Sequence, residues 1–346
     1  MKPKISVVMA VYNGSRYIDK QLESILVQSC PVDEIVIVDD DSPEKCLDEI
    51  RRVTERVIPA ETSESGRQGQ SGQMNSAMQN QSDGCELTWT AGNGITRIRY
   101  MEHENNMGYA QTFFHALERA NGEVIFFADQ DDIWEKTKVE ICVRFLKKHP
   151  DISCLSSSNR LIDGGGRFIR SEKKPRKQLT KVDAGRLIFQ KRFTLQPGMT
   201  LAIRKRLKEQ ISWIDTSVFE MHDRLVEYVS AIEGGYFILS AYLNRYRIHD
   251  TNTSGKNLTH TKLRTGLEGR IDQIEKEVRY LRQIRGVSKH YEKKVNRCIM
   301  YYQQRKRLLQ NRNLFKYLVG SFRCIGRYSS IRVWLGDLAA IAGKGS

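Results

Sequence analysis

Two strongly apolar segments of the chain each end in a cluster of acidic residues, at positions 39–41 and 129–132. Buried carboxylates are costly unless they are paired or bound to a cation. Asp129 and Asp131 are alternate residues, so in an extended segment both could reach one ligand set, and oxygen donors of this kind suit a hard divalent cation. The pattern therefore predicts a cation site, although acidic residues after strands also commonly cap the following helices.

The segments before these clusters have the composition of buried β-strands. Residues 4–11, 34–38 and 124–128 are almost continuously apolar and rich in β-branched or aromatic side chains, which predicts three strands buried on both faces. Helical spacing of apolar residues follows the first two strands and recurs before residue 120. Strands that alternate with helices predict a mostly parallel sheet, in which ligands bind at the carboxyl ends of the strands.

Residues 61–94 differ from their surroundings, since they are rich in Ser, Gly, Gln and Asn and lack periodicity. We interpret this segment as a disordered or loosely attached insertion, because structureless loops of this length are uncommon in compact domains. Strand character returns at 95–101. The three glycines at 164–166 predict a hairpin turn.

The charge of the protein is concentrated at its C-terminal end. Residues 256–346 contain 21 basic and 6 acidic residues, which accounts for the whole net charge of +15, so the first 255 residues are neutral. A neutral body with a basic tail differs from a uniformly basic nucleic-acid-binding protein, and no nucleic-acid recognition motif accompanies the tail. The seven cysteines contain no C-x-x-C pair, which argues against a disulfide framework and favours a reduced, cytoplasmic location.

Four motifs together give the sequence a recognisable resemblance. They are KISVVMAVYNG at 4–14, IVIVDDDS at 35–42, NMGYA at 106–110 and ADQDDIW at 128–134. In this order and spacing they resemble the inverting nucleotide-sugar glycosyltransferases of glycosyltransferase family 2. The DQDDIW form is most similar to the rhamnosyltransferase-like branch, which builds bacterial surface polysaccharides.

The resemblance implies a GT-A fold, an α/β architecture with a Rossmann-like, mostly parallel sheet and flanking helices. It is strong over residues 3–150 and weaker to about 255. It implies a catalytic domain over 1–255, with a nucleotide-sugar half at about 1–135 and an acceptor half at about 136–255. Residues 256–346 would form a separate basic helical region.

The resemblance also implies roles for residues at the nucleotide-sugar site. Val11 and Asn13 would line the nucleotide pocket, and Asp39 or Asp40 would bind a pyrimidine base. Asp129 would lie beside the ribose. Asn106 and Gly108 belong to the matching NMGYA motif and are expected in the same site.

By the same resemblance, Asp131 would bind the Mg²⁺ or Mn²⁺ that bridges the diphosphate of a UDP- or dTDP-sugar. The segment YRIHDTN at 246–252 is similar to a terminal motif of the family. It implies that His249 completes the metal or diphosphate site, with Arg247 nearby, although a lone histidine is more often a structural hydrogen-bonding residue.

The general base is implied on the acceptor side. An acceptor hydroxyl needs a base to remove its proton, and the family form matches FEMHDR at 219–224, in which Asp223 is the aligned residue. The alternative is that Glu220 and Asp223 only favour the helix dipole in a first turn. Gly198, Met199, His222 and Arg247 would lie on the acceptor or the diphosphate side. Arg224 departs from the branch, which often has an aromatic residue at this position.

The basic tail has apolar residues at helical spacing over 258–309 and a second, aromatic-bearing apolar pattern over 314–341. Such segments suit the surface of an anionic membrane, which predicts a peripheral location at the inner face of the cell membrane. The alternative is that these helices pack on the catalytic domain.

The sequence thus predicts a metal-dependent inverting glycosyltransferase that acts on a hydroxyl of a glycan or lipid-linked acceptor. A nucleotidyltransferase with a similar sheet is an alternative, but it would need a basic, glycine-rich loop after the first strand, where the chain offers only Arg16. A catalytically silent scaffold that binds a nucleotide-sugar or a membrane is the other alternative.

Overall fold

A computed structural model describes most of the chain. The described residues are 2–56, 79–80, 85–91, 95–184, 187, 196–250, 260–281, 289–311, 313–322 and 331–342. Their strands are β1 (Ile5–Val11), β2 (Glu34–Asp39), β3 (Gln79–Asn80), β4 (Cys85–Thr90), β5 (Arg97–Glu102), β6 (Val124–Asp129), β7 (Ile133–Trp134), β8 (Cys154–Ile162), β9 (Phe168–Ser171), β10 (Leu179–Lys181), β11 (Ala202–Arg204) and β12 (Tyr236–Arg247). Their helices are α1 (Ile18–Leu26), α2 (Leu47–Arg56), α3 (Tyr109–Arg119), α4 (Lys138–Lys148), α5 (Lys205–Ile211), α6 (His222–Ile232), α7 (His260–Tyr280), α8 (Lys289–Gln310), α9 (Leu314–Phe322) and α10 (Ile331–Ala342).

All twelve described strands belong to one sheet, whose main order is β10-β12-β8-β11-β6-β1-β2-β5-β4-β3. The four neighbours β6, β1, β2 and β5 are parallel, as the alternating strand and helix pattern predicts. β11 runs antiparallel between β6 and β8, and β4 runs antiparallel to β5. The predicted α/β fold is confirmed, with the parallel part of the sheet extended on both sides into a mixed sheet.

The central strands bury side chains on both faces, which explains their nearly continuous apolar composition. On β1, the side chains of Val7 and Met9 pack with those of α1, α2 and α4, whereas Val8 packs toward α3 and α6. Because successive side chains of a strand point to opposite faces, one strand contributes to two apolar cores. This double burial fixes the position of the strand ends, where the acidic clusters lie.

The segment 61–94 is only partly as predicted. Residues 85–90, which we expected to lie in an irregular insertion, form β4 and pair with β5 in register from Glu86↔Met101 to Thr90↔Arg97. The alternation of Leu87 and Trp89 with polar neighbours is the period-2 signal that indicates this strand. Most of the remaining segment lies outside the described residues.

The predicted turn at 164–166 is confirmed. Strands β8 and β9 pair antiparallel on either side of it, and the Gly166 N–H donates to the Asp163 carbonyl at 2.9 Å. Gly166 has a φ of 85°, in the left-handed region that glycine adopts without steric cost.

The tail helices pack on the body. Ile271, Val278 and Leu281 of the α7 region are buried in the same core as Val226 and Val229 of α6. Tyr301 and Tyr302 of α8 and Tyr317 of α9 extend this core. Within the part of the chain that the structure describes, no helix has both the length and the apolar composition needed to span a membrane.

Candidate active site

The two acidic clusters meet at one edge of the sheet. Val11 at the end of β1 is in register with Asp39 of β2, and Ala10 is in register with Asp129 of β6. The carboxyl ends of these three neighbouring parallel strands therefore border one crevice, the usual place for ligands in open α/β sheets.

The loop after β1 is held in an unusual backbone conformation. Asn13 has a φ of 51°, a left-handed conformation that is uncommon for residues other than glycine, and its N–H donates to Ser42 Oγ at 2.9 Å. Gln130 braces the same loop: its amide accepts from the Tyr12 N–H and donates to the Tyr12 carbonyl, both at 2.9 Å. Ser42, next to the acidic cluster at 39–41, and Gln130, within the cluster at 129–132, thus both bond to the loop after β1, which connects the two clusters.

Gln130 is a site residue that the sequence reasoning missed, although it lies inside the DQDD motif. A Cβ atom at Gly14 would lie 2.7 Å from Gln130 Oε1, which is too close for a side chain. Glycine at this position therefore allows the brace to form, and the Asn13-Gly14 pair has a packing role beyond ending the strand.

Asp39 is fully buried and held by protein donors. Its Oδ1 accepts the Ser42 N–H at 2.7 Å, and its Oδ2 accepts the Tyr100 hydroxyl at 3.2 Å. Lys45 Nζ lies 3.7 Å from Oδ1. The carboxylate therefore organises the turn after β2, and both of its oxygens already have donors.

Asp40 organises the loop that carries the NMGYA motif. Its Oδ1 accepts the Met107 N–H at 2.8 Å, and its Oδ2 accepts the Gly108 N–H at 2.8 Å. The Asn106 side chain donates to the Asp40 carbonyl at 3.0 Å. Because Gly108 immediately precedes α3, the carboxylate satisfies an N–H group at the start of this helix and favours its dipole. Asn106 and Gly108 therefore lie at the crevice through contacts with Asp40.

The third strand end brings Asp131 and His249 together. Asp131 Oδ2 lies 2.7 Å from His249 Nε2, and the two side chains are 18% and 11% exposed. Arg247 fixes the approach of this segment, since its Nε donates to the Asp131 carbonyl at 2.6 Å and its backbone N–H donates to Asp132 Oδ1 at 2.8 Å. The motif at 128–134 and residues 246–249 of the terminal motif thus form one structure.

Two aromatic contacts support this structure. The Arg247 guanidinium lies 4.6 Å from the centre of the Tyr17 ring, and the rings of Tyr17 and His249 are 5.1 Å apart. Tyr17 is a second residue that sequence reasoning missed. It is placed at the start of α1, directly behind the β1 loop.

Asp129 and Asp132 lie close to other carboxyl groups. Burial and the neighbouring Asp131 raise the pKa of both carboxyls. The buried Lys138 lies nearby, with its Nζ donating to the Met199 carbonyl at 2.6 Å and lying 3.6 Å from the Trp134 ring centre. Burial lowers the pKa of this amine to about 7, so it offsets the carboxylates only in part near neutral pH. A cation at this edge would offset the excess of negative charge.

The side chains at this sheet edge suit a divalent cation that takes part of its ligands from a bound substrate. Asp131 and His249 offer a carboxylate oxygen and an imidazole nitrogen, a combination that Mn²⁺ accepts and whose oxygen Mg²⁺ prefers. Among the residues that the structure describes, no group of three or more His, Cys, Asp or Glu side chains is placed to hold a metal. The residues present therefore fit an ion that takes its other ligands from phosphate and water.

Asp223 lies in the first turn of α6, near enough to Asp129 for the two carboxyls to interact. Its side chain is buried, its Oδ1 accepts the Arg224 N–H at 2.7 Å, and burial raises its pKa to about 6. The negative charge of Asp223 in turn raises the pKa of Asp129. A carboxylate with a raised pKa can accept a proton near neutral pH.

His222, unlike the adjacent Asp223, is packed among aromatic side chains. Its ring stacks on Phe113 with the ring centres 3.9 Å apart, neither ring nitrogen has a hydrogen-bond partner, and burial lowers its pKa to about 3. The histidine is therefore neutral and packs as an aromatic side chain. A Cβ atom at Gly198 would collide with this ring, so Gly198 permits the 3₁₀ turn Gly198–Thr200 to pack against the start of α6.

Met199 is also buried, and its contribution to the site is its carbonyl, which accepts from Lys138. The structure therefore brings Gly198, Met199 and His222 together beside Asp223 as the packing that supports the start of α6. Arg247 lies instead beside Asp131, to whose carbonyl it donates.

Arg224 connects the site to the tail. Its Nη1 donates to both carboxylate oxygens of Glu277 in α7, at 3.0 and 2.7 Å, and Glu277 is fully buried. Gln273 of α7 donates to the Val218 carbonyl at 2.6 Å. Arg224, which stands where an aromatic residue was expected, therefore links the start of α6 beside Asp223 to the tail helix α7.

Comparison with protein families gives one match that covers more than half of the chain. A family model described as "Glycosyl transferase family 2" matches residues 6–83 and 89–210. The match includes the ends of β1, β2 and β6, and therefore the crevice described above.

Two relatives illustrate the similarity in sequence. An uncharacterized glycosyltransferase of Nostoc sp. is 26% identical over 252 residues, which cover 72% of this chain and 66% of that protein. TuaG of Bacillus subtilis, a glycosyltransferase assigned to teichuronic acid biosynthesis, is 28% identical over 148 residues, which cover 42% of each chain. The chain thus spans just under two thirds of the first relative and less than half of the second.

Two solved structures share the fold. Staphylococcus aureus TarS 1-349 in complex with UDP has a TM-score of 0.55 and 17% identity, with 87% of this chain and 71% of that chain covered. The mannosyltransferase PcManGT from Pyrobaculum calidifontis, in complex with GDP-Man and Mn²⁺, has a TM-score of 0.50 and 17% identity, with 99% and 87% covered. At these identities the likeness shows the fold.

Proposed function

The chain belongs to glycosyl transferase family 2, and we propose that it transfers a sugar from a nucleoside-diphosphate donor to a hydroxyl of a glycan or lipid-linked acceptor. The observation that carries this proposal is that the charges of Asp131, which contacts His249, and of Asp223 both raise the pKa of Asp129, so the three carboxyls lie near one another. We propose that the metal-held leaving group and the base act from opposite sides of the reacting carbon, as an inverting displacement requires.

The reaction is a single inverting displacement. The acceptor oxygen bonds to the anomeric carbon while the bond from that carbon to the diphosphate oxygen breaks, and the electron pair leaves with the nucleoside diphosphate. The acceptor proton passes to the Asp223 carboxylate. The raised pKa of Asp223, about 6, supports this role because the group is ionised at neutral pH yet basic enough to accept the proton.

Asp131 and His249 would hold Mg²⁺ or Mn²⁺ at the diphosphate. Such an ion stabilises the negative charge that develops on the leaving group. The complex of the mannosyltransferase PcManGT with GDP-Man and Mn²⁺ supports a divalent metal in this proposal. Arg247 orients Asp131 through its carbonyl, so its proposed role is to position the ligand segment.

The nucleoside would bind along the loops after β1 and β2. We propose that Val11 and Asn13 line the nucleotide pocket, that Asp39 or Asp40 contacts the pyrimidine, and that Asp129 lies beside the ribose. The carboxylates of Asp39 and Asp40 already accept hydrogen bonds from N–H and hydroxyl groups of the protein. A nucleobase would therefore bond to a remaining lone pair on one of them. A UDP- or dTDP-sugar is the proposed donor, supported by the UDP complex of TarS.

We assign the transfer to the synthesis of a bacterial surface polysaccharide, and the motif DQDDIW supports a rhamnosyltransferase-like specificity. The similarity to a glycosyltransferase assigned to teichuronic acid biosynthesis supports the same class of product. Residues 1–255 would form the catalytic domain, with the tail from 256 docked on it.

The tail also supports association with a membrane surface. Phe315 and Val319 on α9 are 75% and 51% exposed, and Ile331 and Leu335 on α10 are 59% and 48% exposed. Exposed apolar side chains on short helices of a basic region suit the headgroup region of an anionic membrane. We propose peripheral binding at the inner face of the cell membrane.

The test of the function is a panel of nucleotide-sugars with Mn²⁺, in which release of nucleoside diphosphate is measured with and without glycan acceptors. We expect release from one class of UDP- or dTDP-sugar and loss of release when the metal is chelated. Binding of a donor without any turnover would favour the catalytically silent scaffold.

A further inference from the structure

A second concentration of positive charge lies in the body of the protein, in the segment that carries β9 and β10. Residues 167–181, the basic strap, contain seven basic residues and one acidic residue. Because residues 1–255 are neutral as a whole, the rest of the body is correspondingly negative. All seven basic side chains are exposed, four of them in the run KKPRK at 173–177. Runs rich in Lys and Arg are typical of surfaces that bind polyanions.

The backbone of the basic strap is held on the sheet. The Glu172 N–H donates to the Asn159 carbonyl of β8 at 3.0 Å, and the Tyr242 hydroxyl of β12 donates to the Glu172 carbonyl at 2.8 Å. Further along the strap, Ser240 Oγ donates to the Pro175 carbonyl at 2.6 Å. These bonds fix the strap in one place while its basic side chains remain exposed, so the charges form a defined surface.

The positive charge of the strap is largely uncompensated. Among the described residues, Arg167 is the one strap cation that is paired with a carboxylate, that of Asp163 at 3.0 Å, and its side chain is still 87% exposed. The one acidic side chain of the strap, Glu172, accepts from Asn159 Nδ2 at 3.3 Å. The strap therefore presents charge that an external polyanion can neutralise.

The strap begins beside the proposed diphosphate site. Ile162 of β8 is in register with Arg247 of β12 on one side and with Phe168 of the strap on the other. Two strand spacings therefore separate Phe168 from Arg247, which is about 10 Å. Arg247 in turn donates to the carbonyl of Asp131. A molecule bound at this end of the strap would lie close to the crevice.

From this end the strap runs lengthwise along β12. Its last residue, Lys181, is in register with Phe237 near the start of that strand, whereas Phe168 lies at the level of Arg247 near its end. At about 3.3 Å per residue, the distance along β12 from Phe237 to Arg247 is about 30 Å. A track of charge of this length fits an extended chain with several anionic groups rather than a single small anion.

The polyanion that these observations favour is a glycan. The chain belongs to glycosyl transferase family 2, and the track leads away from the crevice that carries the family motifs. A bilayer suits the strap less well, because binding in the headgroup region needs apolar side chains along the surface. The exposed large apolar residues of the strap, all of which is described, are Phe168 and Ile169 at its first end, and residues 170–181 have none.

From this geometry we infer that the basic strap binds an anionic glycan, whose sugars carry carboxylate or phosphate groups, with the reacting end of the glycan toward Arg247. The inference rests on the proposed transfer to a glycan. It adds the charge class of that glycan and the surface that holds it.

The inference is tested by fluorescence anisotropy on the full chain, without any donor. Labelled hexagalacturonate, a carboxylated glycan, is compared with labelled maltohexaose, a neutral glycan of the same length. We expect hexagalacturonate to bind at least about tenfold more tightly at low salt, because several exposed charge pairs each contribute a factor of about two. Added salt should remove this advantage, since screening acts over about 10 Å at 0.1 M. Equal affinities, or an advantage that salt does not change, overturn the inference.

Charge variants locate the binding surface. One variant replaces three lysines of the run at 173–177: Lys173→Gln, Lys174→Gln and Lys177→Gln. The matched control has the same net charge and replaces three exposed basic side chains of α4: Arg144→Gln, Lys147→Gln and Lys148→Gln. We expect about a tenfold loss of hexagalacturonate affinity in the strap variant and little change in the control. Similar losses in both variants contradict a specific role of the strap.

Two further probes test other polyanionic partners. The strap variant should bind vesicles with anionic lipid as the wild type does, and a thymidine oligonucleotide with the same number of charges should bind no more tightly than hexagalacturonate. Loss of vesicle binding in the strap variant, or tighter binding of the oligonucleotide, overturns the assignment to a glycan. Because none of these measurements needs turnover, a failure to release nucleoside diphosphate in the donor panel counts against the proposed transfer and not against binding by the strap.

Discussion

The Nε2 atom of His249 lies 2.7 Å from Oδ2 of Asp131, although the two residues are 118 positions apart in the chain. Strand β12 brings them together, because its end pairs with the short strand β7, in register from Asn244↔Trp134 to Arg245↔Ile133. The acidic cluster and the terminal motif are therefore two parts of one site.

Removal of the Asp131 side chain should weaken metal-dependent binding of a nucleoside diphosphate. For Asp131→Ala we expect at least about a tenfold loss of UDP affinity in Mn²⁺, measured by calorimetry, and a smaller loss for His249→Ala. Binding without metal should change little. Asp151→Ala, at an exposed carboxylate outside the crevice, is the control. Equal affinities in wild type and Asp131→Ala would remove Asp131 from the metal site.

Asp223→Asn should abolish most transfer while preserving the donor site. General-base catalysis contributes about 10²–10⁴-fold, so transfer should fall by this factor with unchanged donor affinity. Glu220→Gln is the control on the neighbouring carboxylate. A loss confined to Glu220→Gln would assign the base to Glu220, and lost donor affinity in Asp223→Asn would place Asp223 with the diphosphate.

The pH dependence of transfer should report the Asp223 carboxyl. Burial raises its pKa to about 6, so the basic, ionised form is lost as the pH falls through about 6. In kcat/KM we expect a tenfold fall per unit of pH below this value and a plateau above it. A profile that stays flat down to pH 4.5 in the wild type would show that a different group removes the proton.

Glu277→Gln should destabilise the protein strongly, because it leaves the Arg224 guanidinium, only 14% exposed, without the carboxylate it pairs with. Breaking a buried ion pair on one side costs about 3–5 kcal/mol, measured as the free energy of unfolding in urea. The control is Asp272→Asn in the same helix, whose pair with Lys306 is partly exposed and should contribute less than about 1 kcal/mol. Similar losses in the two variants would contradict the anchoring role of Glu277.

Membrane association should depend on charge and on the exposed apolar residues of α9 and α10. Binding to vesicles with anionic lipid should weaken with salt, since screening acts over about 10 Å at 0.1 M. Phe315→Ser with Leu335→Ser should weaken it further. Phe168→Ser, on a 63% exposed residue of the body, serves as the control. Binding that is insensitive to salt and to lipid charge would exclude the electrostatic contribution.

Deletion of residues 61–78 should leave the fold intact, because this polar composition cannot bury enough apolar surface to offset the entropy of ordering. Deletion of 85–90 should destabilise the protein, since β4 pairs with β5 over five register positions from Glu86↔Met101 to Thr90↔Arg97. Thermal unfolding distinguishes the two variants. Equal melting temperatures would show that β4 contributes nothing to the stability of the sheet.

Local patterns were sufficient to predict the central architecture. The apolar runs at 4–11, 34–38 and 124–128 correspond to β1, β2 and β6, because a strand buried on both faces needs apolar side chains at nearly every position. The parallel βα order then placed the two acidic clusters at one sheet edge. β4 was missed because its alternation of Leu87 and Trp89 is short and lies within a polar segment.

The roles of individual carboxylates were decided by the tertiary structure. Asp39, Asp40 and Asp131 all lie at or just after the ends of buried strands, yet Asp40 holds the N–H groups of Met107 and Gly108, and Asp131 faces His249. Similarly, nothing in the local sequence indicates that Arg224 pairs with Glu277, or that His222 stacks on Phe113. Chain composition determines which segments are buried and which elements form, since these depend on neighbouring side chains. The partner of a buried polar group is set by whichever distant element packs against it, which only the assembled fold determines.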